Sequence, residues 1–401
     1  MGIIQVVMVF GLIFFALKKK LPLYVAMLTG SVAIVFLYMI NFSDVFSITI
    51  DSITNETTIS ILLSFYLIVV LQKMMEHKNH TIMATQALEK LFNSKRINVM
   101  ITPFIIGLMP SAGVAHVVSP IVKTSSDGYL SNDEQVVVTS FYRHLSESFL
   151  PTYAHILLAV QLAGISMTAF VIYMFPMVGV LFFLGFIFYV RKIPKGNGIL
   201  KCKCKYDEWL KLLQALWPLL LAIIIVLVFE VYVYVGVGVS IVLSVIFNRF
   251  SIKTMFDILV KAFDYKVLIA IIVIMIFKDL LVYTDVITHL PDTLSFLPIP
   301  FVVVVVIIFF ISSFMLGGQA TVALFIPFTY SVITDGGVAL MIMLMSVMFM
   351  ASQMSPVHIC LTVIVDYFHS TFANLVKKTI PIAITFIMIS AIYSYFLYFI
   401  Q

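Results

Sequence analysis

A chain of 401 residues that is 62% hydrophobic and only 11% charged, with a mean hydropathy of +1.14, lies outside the range of soluble domains and reads as a polytopic membrane protein. The net charge of +5 does not point to nucleic acid, because the basic residues gather in short loops between apolar spans. Three cysteines (Cys202, Cys204, Cys360) make no disulfide framework, and the lack of a Walker A, G-x-S-x-G or comparable catalytic motif argues against an ATP-driven pump.

Residues 2–17 have no basic n-region and no small-residue cleavage site, so they read as a retained helix rather than a signal peptide. Spans of about 20 apolar residues predict helices near 2–17, 21–40, 55–72, 134–162, 167–190, 212–229, 232–247, 266–283, 338–368 and 380–400. Two interrupted segments, 97–125 and 298–334, are expected as re-entrant hairpins. The segments 76–96 and 248–265 mix charge with apolar residues at helical spacing, and fit either interfacial amphipathic helices or plain loops.

With the N-terminus outside, the cytoplasmic loops collect 22 of the 24 lysines and arginines; Arg143 and Lys278 fall within spans. The positive-inside rule then places both termini outside and the Lys-rich 191–211 loop in the cytoplasm of a cell-membrane protein. The basic charge encodes topology rather than a polyanion site.

The stretch from Gly107 to Pro120 is apolar, yet Pro110 and Gly113 break it and His116 and Ser119 add polar groups. A second such stretch runs from Ser312 to Thr321. Gly113 precedes Pro151 by 38 residues and Gly318 precedes Pro356 by 38, so the two halves are offset by 205. Unwound backbone survives at membrane depth only when buried in protein or facing a cavity. Matched interruptions in two halves are the sequence pointer to a secondary transporter's binding site. The expected fold is therefore an all-α polytopic membrane protein of about ten transmembrane helices plus two re-entrant hairpins. It divides into two inverted-topology repeats, 1–190 and 212–401, joined by the linker 191–211.

The helix from 134 carries Arg143, His144 and Glu147 before the break at Pro151. Glu147 falls near the bilayer middle, where ionisable groups face the bundle interior and mark substrate or proton paths. Arg143, four residues back, can pair with it, and His144 is a candidate proton shuttle. Under the 205 offset Glu147-Ser148 maps onto Ser352-Gln353, and Ser355-Pro356 reads as an N-cap followed by proline at the first helical position. A half-helix starting there would present free N–H groups to an anion. Ser111, Ala112 and Gly113 at one tip, and Gly317, Gly318 and Gln319 at the other, offer close backbone approach to a ligand. His116, His144, His155 and His358 follow no metal-ligand spacing.

With Ser355-Pro356-Val357-His358-Ile359-Cys360-Leu361 and the Gly107–Pro120 hairpin, the chain resembles the domain-of-unknown-function 401 membrane family over nearly its whole length. That family is similar to gluconate permeases and to the ion transporter superfamily of citrate, dicarboxylate, arsenite and Na⁺/H⁺ carriers. The resemblance implies inverted repeats, paired re-entrant hairpins, a homodimer and elevator-type movement. The first tip, Pro110-Ser111-Ala112-Gly113, lacks the double glycine that the second keeps at Gly317-Gly318.

The expectation is a secondary transporter, a symporter of a small organic anion, using no cofactor beyond Na⁺ or H⁺ as coupling ion and no partner beyond the solute, the lipid bilayer and a second copy. Ser111, Ala112, Gly113, Ser148, Gly317, Gly318, Gln319, Gln353 and Ser355 would bind the solute, and Glu147 with His144 would couple the ion. A cation/proton antiporter is the alternative. An intramembrane enzyme ranks lower, for want of a nucleophile or metal set.

Overall fold

The computed structural model describes residues 2–92, 94–109, 114–195, 205–285 and 299–400, and among these it is helical without a strand. In chain order the helices are α1 Gly2–Lys18, α2 Leu23–Leu37, α3 Phe42–Thr54, α4 Glu56–His77, α5 His80–Leu91, α6 Lys95–Gly107 and α7 Val114–Ser126. Then come α8 Asn132–His144, a short 3₁₀ turn at Leu145–Ser148, α9 Ala154–Leu162 and α10 Met167–Phe188. The remainder holds α11 Lys205–Phe229, α12 Val233–Phe247, α13 Ile252–Ala262, α14 Tyr265–Tyr283, α15 Phe301–Leu316, α16 Gly318–Val332, α17 Gly337–Ser352, α18 Ile359–Tyr367 and α19 Phe372–Tyr398.

Four of the described helices, α4, α10, α11 and α19, are each long and apolar enough to cross a membrane alone. Their outer faces carry large exposed apolar side chains, among them Phe175, Phe183, Ile224, Val228, Ile384 and Met388. In water such faces would be a liability; in a bilayer they meet hydrocarbon.

Both ambiguous segments are helical. In α5 the residues His80, Ala84, Ala87, Leu88 and Leu91 are buried along one stripe, and in α13 the hydroxyl of Ser251 caps the start by accepting from the Thr254 N–H at 3.1 Å. The structure adds α3, where no span is expected, and starts α19 at Phe372 rather than near 380. The hydroxyl of Thr371 accepts from the Asn374 N–H at 3.2 Å, so the cap sets that boundary ahead of the purely apolar stretch.

Polar contacts tie the ends of neighbouring elements together. Lys78 donates to the Asn248 carbonyl at 2.9 Å, Arg96 to that of Arg191 at 3.0 Å, and Lys192 to Glu134 at 2.6 Å. Tyrosines meet carboxylates in the same way, Tyr232 with Glu56 at 3.0 Å and Tyr283 with Asp44 at 2.9 Å.

Helices α1 to α4 pack with α11 to α14, while α6 to α10 pack with α15 to α19. Within the second group α8 and α17 are the innermost elements. Every residue of α8 from Glu134 to His144 is buried, and α17 is buried from Leu344 to Ala351 except at Met343 before it. Both end at an interruption, and there the chemistry of the chain concentrates.

Candidate functional site

The start of α8 is clamped from three directions. Ser131 and Glu134 form a reciprocal capping box, Glu134 also meets Lys192 and Lys378, and Asp133 accepts from Ser370 and from Asn374. From this anchor the helix carries Arg143 and His144 inward, tightens to 3₁₀ at Leu145–Ser148, and breaks. Pro151 supplies no N–H and disfavours helix at the preceding residue. The chain becomes helical again at Ala154, with no side-chain cap on the new N-terminus.

The first break is ionic. The Arg143 guanidinium, 3% exposed, donates through Nη1 to Glu147 Oε1 at 3.2 Å. His144 Nε2 lies 3.7 Å from the same oxygen, and the His155 Nε2–H donates to the Glu147 carbonyl at 2.8 Å. The expected pairing of Arg143 with Glu147 is thus present, and His144 and His155 complete the cluster.

This break is fixed to the first hairpin through backbone. The Gly107 carbonyl, at the end of α6, accepts from Ser146 at 2.8 Å and from the Tyr153 hydroxyl. A Cβ on Gly107 would stand 2.0 Å from the Arg143 carbonyl oxygen, so only glycine permits this approach.

The second break runs from Gln353 to His358. Here the structure corrects the expectation that Ser355 caps a helix beginning at Pro356: α18 begins at Ile359, behind His358, without a side-chain cap. The Ser355 hydroxyl instead donates to the Phe314 carbonyl of α15 at 2.7 Å. A carbonyl near the end of a neighbouring helix outcompetes the local amide, because that carbonyl otherwise lacks a partner. Gly317, between α15 and α16, has φ +84° and ψ 163°, a region essentially reserved for glycine. Gly318 lies against Met348 of α17.

The two breaks meet. The His144 and His358 rings are 4.6 Å apart, edge to face, and Cys360 joins them. Sequence spacing did not reveal this trio, since its members come from different halves of the chain.

Of the expected solute residues, Ser148, Gln353 and Ser355 are buried in the breaks, and Gly317, Gly318 and Gln319 form the second tip. Ser111, Ala112 and Gly113 lie outside the described residues. Ser148 uses its hydroxyl locally, donating to the Leu145 carbonyl at 2.7 Å. Neither amide atom of Gln353, 2% exposed, has a hydrogen-bond partner among the described residues.

A cavity of about 460 Å³ connects regions the sequence left separate. Thr152, Tyr153 and Ala154 line it at the uncapped start of α9, with Gln319 at the start of α16 and Gln72, Lys73, Lys261 and Asp264 from the α4 and α13–α14 side. Glu147, Ser148 and Gln353 are not on its wall. Lys261 and Asp264 fall in the segment whose pattern allowed either helix or loop, so no sequence signal selected them.

Such a fold has a known relative. The crystal structure of the YdaH transporter of Alcanivorax borkumensis, described as having an unusual topology, superposes with a TM-score of 0.63 over 88% of each chain at 12% identity. No curated protein matches the sequence. Residues 3–396 match the family described as "Protein of unknown function (DUF401)", and the chain belongs to that family.

Proposed function

We propose that the protein is a secondary active transporter of a small organic anion, coupled to Na⁺ or H⁺. The observation that carries this reading is the cavity of about 460 Å³ shared by the start of α9 and Gln319. Its size suits a small solute. The unsatisfied N–H groups of a helix start favour a carboxylate, and Lys73 and Lys261 supply positive charge on the approach. That the similar YdaH protein is itself a transporter supports the same class.

In this reading the halves are inverted repeats: α9 and α18 begin at residues 154 and 359, and α10 and α19 at 167 and 372, each pair 205 apart. The hairpins α6–α7 and α15–α16 are re-entrant and travel with the breaks they are bonded to, while α1–α4 and α11–α14 form the scaffold of an elevator. The Lys-rich end faces the cytoplasm with both termini outside. Glu147 and His144 couple the driving ion.

Uptake into proteoliposomes tests this, with a panel of carboxylates and inorganic anions and with Na⁺ and pH gradients imposed separately. Gradient-dependent accumulation of a carboxylate is expected, and Glu147→Gln should abolish the response to the driving gradient. Wild-type uptake with unchanged ion dependence in that variant would remove Glu147 from the mechanism. The contact of His144 with Glu147 at 3.7 Å favours one second reading, a Na⁺/H⁺ antiporter. In that case Na⁺ alone discharges a pH gradient and no anion accumulates.

A further inference from the structure

We infer that His144, His358 and Cys360 form a binding site for a borderline-soft divalent transition metal, of which Zn²⁺ is the type, where the two breaks meet. Their donor atoms all lie within 4.8 Å of one another, and they form the one such group of three or more among the described residues. Zn²⁺ bound at about 2.0–2.3 Å needs tetrahedral donors roughly 3.3–3.6 Å apart, so closure of about 1 Å would complete the set.

The tautomers are already chosen. His144 Nδ1 lies 2.6 Å from the Ser140 carbonyl and His358 Nδ1 lies 3.3 Å from that of Ser352. A carbonyl only accepts, so each Nδ1 carries a proton, and Nε2 is the nitrogen that each ring, when neutral, can offer to an ion. That is the outer-shell arrangement of metal-bound imidazole. His144 is wholly buried, and its Nε2 has no hydrogen-bond partner among the described residues. Glu147 Oε1, 3.7 Å from that nitrogen, stands where a fourth donor could enter. Two imidazoles and a thiol select Zn²⁺ over Na⁺, Mg²⁺ or Ca²⁺, which require oxygen. Binding releases the Cys360 proton to solvent as thiolate coordinates the ion. The site does not depend on the transport reading, because metal binding is measured without any solute.

The test uses the full chain in detergent, with Cys202→Ser and Cys204→Ser removing the other two thiols, titrated with Co²⁺ and then Zn²⁺. One equivalent of Co²⁺ should produce a thiolate-to-metal charge-transfer band that Zn²⁺ erases, and Zn²⁺ should raise the melting midpoint. Cys360→Ser should eliminate the band. His358→Gln should weaken Zn²⁺ binding by more than the roughly 10- to 100-fold typical of losing an outer-shell partner, which decides the matter even if the cysteine variant does not fold. A parent protein without the band, or a band and affinity that persist in either variant, overturns the site.

Discussion

The two breaks hold corresponding places in the halves of the chain but differ in character. At the 205-residue offset Arg143 corresponds to Met348, Glu147 to Ser352 and His155 to Cys360, whereas Pro151 and Pro356 coincide. The first break carries an ion pair inside protein that faces lipid elsewhere. The second has no carboxylate or guanidinium between Gln353 and His358, and its Met348 packs against Gly318 where the first half has a guanidinium. Backbone interruption is therefore common to both, while the carboxylate–guanidinium pair is confined to one. Such a division suits a site where one break handles an ion and the other offers backbone and amide groups to a solute.

Copying the second break into the first should have the largest effect. Arg143→Met would leave the half-buried Glu147 carboxylate without its buried guanidinium partner, and removing one partner of a buried pair costs up to roughly 3–5 kcal/mol. Thermal melting in detergent should show a large fall in midpoint, partly restored when Glu147→Gln is added. A single variant as stable as the parent would mean that the ion pair contributes little and that the contrast between the breaks is superficial.

Glycine is required at both hairpins for different reasons, and alanine scanning separates them. Gly107→Ala forces a Cβ into the Arg143 carbonyl, an overpacking worth about 1–3 kcal/mol. It should be relieved by nothing short of moving α6 from α8. At Gly317 a Cβ meets only Val357 at 3.7 Å, so the cost there comes from the φ of +84°, about 1–3 kcal/mol. Crosslinking between cysteines placed on α6 and α8 should weaken only for the first variant; equal loss in both would contradict the packing account.

Most helices, and the interruptions at Pro151, at Gly317 and at Pro356, were legible because hydrophobic runs, prolines and glycines act locally. Arg143 with Glu147 was legible because the two are four residues apart, on α8 and the 3₁₀ turn that continues it. What the sequence could not show depended on distant elements. The trio of His144, His358 and Cys360 requires α8 to meet the break after α17, and the cavity requires α9 to meet α4 and the α13–α14 corner. Ser355 was misassigned for the same reason: serine before proline has a local use as a helix cap, and only the fold reveals that the Phe314 carbonyl takes the hydroxyl instead.

Ser355→Ala should accordingly be modest, since losing one hydrogen bond costs about 0.5–1.5 kcal/mol, with some addition for the stranded carbonyl. The loss should leave the first break's melting behaviour intact and appear as faster proteolysis or amide exchange in α15–α16. Unchanged protection there would mean that the bond to Phe314 does not hold the second hairpin.

The smallest effect on stability is expected at Gln353, and it carries the sharpest distinction. Both amide atoms of this side chain are buried without a partner among the described residues, and an unsatisfied polar group costs about 1–3 kcal/mol. Gln353→Met keeps the length and removes the unsatisfied amide, so the variant should melt at or above the parent's midpoint. A residue selected only for packing would then leave uptake unchanged as well. If the second break serves the solute, uptake should fall although stability does not. That combination cannot arise from misfolding, and it would assign the amide to transport.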